Sequence, residues 1–70
     1  MNLKAQRIYE ARRAGLVARI GHGVGPERAE QLASAWEVEA ERIGLARDTT
    51  GYWDEAGRWI ETEIERTRRR

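Results

Sequence analysis

PERAEQLASAWEVEAERI, residues 26–43, carries the most regular apolar spacing in the chain. At 100° per residue, Ala29, Leu32, Ala33, Trp36, Ala40 and Ile43 fall on one stripe, while Glu27, Glu30, Glu37 and Glu41 gather on the far side. This is the pattern of an amphipathic helix with one apolar seam to bury. Pro26 suits the first turn, where a missing N–H costs nothing, and Glu27 and Glu30 sit where the positive end of the helix dipole favours carboxylates. Gly44 followed by Leu45 reads as a left-handed stop with its hydrophobic contact.

On the N-terminal side lies a glycine-rich zone, residues 21–26, which reads as an interhelical loop. Before it, Ala5, Ile8, Tyr9, Leu16 and Ile20 share a broad face, interrupted by Arg12. Either Arg12 lays its stem over the core, or this helix offers a second apolar edge to a partner. On the C-terminal side, a stripe of Trp53, Ala56, Ile60, Ile64 and Thr67 predicts a third helix, with Asp48, Thr49 and Thr50 as competing cap residues. Gly57 within that helix implies that another backbone or a large ring lies close. Trp36 and Trp53, central on their stripes, are expected in the core; Trp59 and Tyr52 are expected on a partly exposed flank. No alternating strand pattern and no internal repeat interrupts this reading. The expectation is an all-α, small three-helix protein, one domain over residues 1–70, with helices near 3–20, 26–43 and 51–67.

Seventy residues hold one core at most. Its large apolar side chains are few and include no Phe, so net stability sits close to zero without a supplement. The cysteine count of zero removes disulfides and weakens the case for a metal, which leaves a partner chain as the leading supplement. No continuous apolar run suits a signal peptide or a bilayer span, so a cytoplasmic location without membrane association is expected. The formal net charge of +1 conceals segregation: residues 1–20 carry +4 and residues 21–44 carry −3. Either these segments lie side by side in the fold, or the basic face meets an acidic partner.

Catalysis is disfavoured by elimination. The chain has one His, one Ser and no Cys, so an assisted nucleophile requires Ser34 with His22, and Ser34 falls in mid-helix. The carboxylates lie on solvated helix faces beside arginines. His22 among Gly21, Gly23 and Gly25 suggests a phosphate cradle, but neither a preceding strand nor a Lys-Ser/Thr pair accompanies it. A lone His is a poor metal site. No catalytic residue, cofactor, metal or small-molecule substrate is therefore expected.

Ala40-Glu-Arg-Ile-Gly44-Leu-Ala-Arg-Asp-Thr-Thr-Gly-Tyr-Trp53 resembles a helix-turn-helix of the bacterial repressor kind, on the strength of Ala40, Gly44 four residues later, Leu45 and then Trp53. The resemblance covers about a fifth of the chain. It implies a helix-turn-helix-like junction between helices 2 and 3 and a DNA-binding transcriptional regulator acting through residues 40–55. Arg47, Asp48, Thr49 and Tyr52 would then face the major groove, and Arg58 a phosphate. Electrostatics ranks this reading second, because Glu39, Glu41, Asp54 and Glu55 surround the segment. Arg66, Arg68, Arg69 and Arg70 complement the negative end of the last helix dipole.

The preferred expectation is a non-enzymatic protein-binding module, an adaptor, small inhibitor or small subunit. Its contacts are expected from Arg7, Arg12 and Arg13 of the first helix and from Tyr52 and Trp59 of the third, since Trp, Tyr and Arg dominate interface energetics. The partner would be another protein or a second copy of the chain as a homo-oligomer, with nucleic acid as the alternative.

Overall fold

A helical hairpin with a third helix laid against it makes up the molecule. A computed structural model describes residues 3–68: α1 spans Leu3–Val24, α2 Pro26–Arg42 and α3 Tyr52–Arg68. Among the described residues there is no strand, and the fold is a small all-α, three-helix domain. Arg69 and Arg70 of the terminal arginine cluster lie outside the described residues, while Arg66 and Arg68 occupy the last turn of α3 as the dipole argument expects.

The glycine-rich zone departs from its expected loop. Residues 21–24 are helical, and only Gly25 leaves the helix, at φ 90° and ψ 154°. Its N–H donates to the Gly21 carbonyl at 2.9 Å, and its own carbonyl accepts from the Ala29 N–H at 3.0 Å. One residue thus ends α1 and begins α2 in a conformation that a side chain would strain. A Cβ on Gly21 would stand 3.6 Å from the Pro26 Cα, which shows how closely the hairpin shuts. Ile20 and Val24 pack against the core, and this tertiary support outweighs the roughly 1 kcal/mol that each glycine costs a helix interior.

At its other end α2 stops as expected. Gly44 has φ 77°, the Leu45 N–H donates to the Ala40 carbonyl at 2.8 Å, and the Gly44 N–H donates to the Glu41 carbonyl at 3.1 Å. These are the paired bonds of a Schellman stop, with Leu45 turned back onto the core. The same turn carries Ile43 off the stripe: it is 54% exposed instead of buried.

Leu16, Leu32, Trp36, Ala40, Tyr52, Ala56 and Ile60 form the central cluster, with Ala29 and Ala33 also buried along the hairpin. Two aromatic assignments reverse. Tyr52 is 2% exposed and belongs to the core, whereas Trp53 is half-buried at its edge. The reason is where α3 starts: Gly51, at φ 87°, precedes its first turn, and the helix is rotated so that Tyr52, Ala56 and Ile60, four residues apart, face inward. Asp48, Thr49 and Thr50 lie in the connector, where the Thr49 carbonyl accepts from the Tyr52 N–H. Ala5 and Ile8 also fall outside the core, leaving Leu16 as the only fully buried residue of α1. Gly57 is close to neither a backbone nor a ring: a Cβ there would lie 3.1 Å from the Arg19 guanidinium and 3.9 Å from Leu16.

Candidate functional site

All five aromatic residues join in one run, Trp53–Tyr9–Tyr52–Trp36–Trp59, with successive ring centroids 5.0, 5.9, 5.5 and 6.0 Å apart. Tilted and edge-on pairs at such distances add to burial. Tyr52 and Trp36 hold the middle of the run, and the half-buried Trp53 and Trp59 emerge at its two ends. Each emerging indole borders a recess, and the polar groups around the recesses differ.

At the Trp59 end, the floor is apolar. Ile43, Leu45 and Trp59 line a groove of about 300 Å3, with Glu39, Glu55, Arg58 and Thr62 around it. The charges on this rim are already paired: Arg42 donates to Glu39 at 2.6 and 2.8 Å, and Arg58 to Glu55 at 2.7 Å. At the Trp53 end, the N-terminal half of α1 and the α2–α3 connector enclose a crevice of about 280 Å3, walled by Ile8, Tyr9, Arg12, Arg47, Asp48 and Trp53 among others. The Arg47 guanidinium carbon stands 5.3 Å from the Tyr9 ring centroid, within cation–π range. The indole N–H groups of Trp36 and Trp53 are shut away from water without an acceptor, at a cost of about 1–3 kcal/mol each.

The five expected partner contacts do not form one patch. Arg13 is engaged within the hairpin: its guanidinium contacts Glu30 at 2.6 Å and Glu37 at 2.9 Å, and donates to Ser34 at 3.0 Å. Here the basic first segment meets the acidic second. The Tyr9 hydroxyl donates to the other oxygen of Glu37. Burial alone would push the Glu37 carboxyl up, but the hydrogen bonds from Tyr9 and Arg13, with the Arg13 and Arg47 charges, hold it below the usual range. Burial and the bond to Glu37 push Tyr9 up. For Arg13 burial opposes the charge, yet its bonds to Glu37 and Glu30 prevail and raise it further.

Tyr52, expected on a partly exposed flank and at both the protein and the DNA interface, lies instead in the core at 2% exposure. Arg7 is exposed on α1, Arg12 borders the crevice, and Trp59 borders the opposite groove. The length of the connector does not support the helix-turn-helix-like junction between helices 2 and 3. Residues 43–51 separate α2 from α3, over twice the three- or four-residue turn of that motif. Arg47 stacks on Tyr9, Thr49 sits in the connector, and Arg58 pairs with Glu55, so these residues share no single helix face. Ser34 accepts from Arg13 instead of meeting His22, which is exposed near the end of α1.

Sequence reasoning missed Ile43, Leu45, Ile8, Tyr9 and Trp53 as surface elements. Ile43 carried a signal, since it directly precedes the glycine stop where the chain leaves the helix axis. Among the described residues no group of three or more His, Asp or Glu is placed to hold a metal, and no helix is long and apolar enough to cross a membrane. Comparison with protein-family models, with curated proteins and with solved structures gives no match, so function must be read from these surfaces themselves.

Proposed function

We propose that this chain is a protein-binding module that seats a partner's apolar side chains in the groove formed by Ile43, Leu45 and Trp59. The observation that carries the reading is Ile43, a large aliphatic residue left 54% exposed beside a half-buried Trp. An apolar centre inside a polar rim is the anatomy of a protein interface, and Trp is among its commonest energetic anchors. The Glu39–Arg42 and Glu55–Arg58 pairs balance the charges beside the groove, so no single-sign field opposes an apolar side chain there. The occupant is a different protein. With no cysteine in the chain, nothing in the fold depends on an oxidising compartment, and the cytoplasm is the location proposed with it.

Affinity capture from nuclease-treated lysate of the native cells tests this, comparing wild type with Ile43→Asp and Trp59→Ala after circular dichroism has established equal helicity. A protein retained by wild type and lost from both variants supports the proposal. Retention that nuclease abolishes would assign the surface to nucleic acid. A wild-type dimer in sedimentation equilibrium, dissociated by Ile43→Asp, would assign it to a second copy. Either result overturns the reading.

A further inference from the structure

The crevice at the Trp53 end has a different chemistry from the groove. Arg13, Arg42, Arg58 and Arg66 each form an ion pair within the fold, whereas Arg12 and Arg47, which border the crevice, form none with any described residue. Two arginines thus line one recess whose walls carry a single carboxylate, Asp48. Glu37, the other acid whose charge reaches Arg47, is already engaged by Tyr9 and Arg13. Arg47 lies over the Tyr9 ring, with its guanidinium carbon 5.3 Å from the ring centroid, a cation–π contact that favours this placement. The remaining walls are apolar or aromatic: Ile8, 48% exposed, with Tyr9 and Trp53.

We propose that this crevice receives an acidic side chain and a neighbouring apolar side chain presented together by a partner peptide. The carboxylate is taken by Arg12 and Arg47, and the apolar group lies against Ile8, Tyr9 and Trp53. Positive excess at the rim selects the carboxylate, and Arg binds it with directional, charge-assisted bonds. Size selects the peptide: about 280 Å3 falls at the lower limit of the roughly 300–1,000 Å3 usual for small-molecule sites, room for two side chains instead of a whole cofactor. The inference rests on the protein-binding reading only in taking a peptide as occupant. It concerns the other end of the aromatic run and uses a defined probe, so the two fail separately.

The test is titration of 15N-labelled full-length protein with N-acetyl-leucyl-glutamic acid amide, its glutamine counterpart, and acetate alone. The Trp53 indole resonance is assigned from its loss in Trp53→Phe. Expected is a saturable shift of that resonance and of the residue 47–50 amides with the glutamate peptide, at least about tenfold tighter than with the glutamine peptide. Arg12→Gln and Arg47→Gln should each weaken it by about tenfold, and Arg28→Gln, which removes an exposed charge at the start of α2, should leave it unchanged. Absence of a saturable shift up to about 10 mM, or equal affinity for the two peptides, overturns the carboxylate assignment. Acetate binding as tightly as the glutamate peptide overturns the apolar half.

Discussion

The seam between α1 and α2 and the junction between α2 and α3 join helices of similar polarity, yet they are finished differently. At the seam, one glycine makes the connection, Arg13 and Glu37 pair across it, and the Tyr9 hydroxyl finds a carboxylate. At the junction the chain wanders through residues 43–51, Ile43 stays exposed, Arg47 forms no ion pair with a described residue, and two indole N–H groups lack acceptors. A hairpin closed by one residue brings its facing side chains into a single register, so their polar groups can be matched. A longer connector fixes its ends and leaves side chains on its flanks unmatched.

Trp36→Ala removes the ring that links the two regions, and a loss of about 3–5 kcal/mol is expected in urea denaturation, enough to unfold so small a chain. Glu37→Gln attacks the seam alone and should cost about 1–3 kcal/mol at neutral pH. Because the folded Glu37 carboxyl is held below its reference value of 4.5, the unfolded chain binds more protons as acid is added. Wild-type stability should therefore fall as pH drops through and below that value, and Glu37→Gln should flatten this limb. Tyr9 is shifted the other way: its contribution is complete below 10.0 and lost as pH rises above it, a limb that Tyr9→Phe should remove.

Smaller effects separate the two connections. Gly25 and Gly44 both have positive φ with open space where a Cβ would go, so Ala costs backbone strain alone: about 1–2 kcal/mol at Gly44, and about 1–3 kcal/mol at Gly25, whose φ 90° and ψ 154° lie where essentially only glycine is found. Gly25→Ala should be the more damaging, since a one-residue link has no neighbours to absorb the change, and equal losses would remove that distinction. Smallest of all, Ile43→Asp should alter stability by less than about 0.5 kcal/mol, because the residue is exposed. A large loss would mean that Ile43 belongs to the core after all.

Residues 26–43 made α2 and its buried seam legible, since Leu32, Trp36 and Ala40 recur at helical spacing, Pro26 opens the helix and Gly44 closes it. The three helices and the lack of strand periodicity followed from the same local regularity. The end of α1 did not: glycine propensity argued for a loop at 21–24, and packing of Ile20 and Val24 overrode it. Nor did the roles of Tyr52 and Trp53, adjacent residues whose burial depends on the rotation of α3 against its neighbours.

The number and kind of elements were legible along the chain, because backbone geometry imposes a period that each segment reveals locally. Which arginine is consumed at the seam and which borders the crevice, and which aromatic is core and which is surface, the tertiary structure alone decided. Burial and pairing are relations between residues far apart in the chain, and no local period records them.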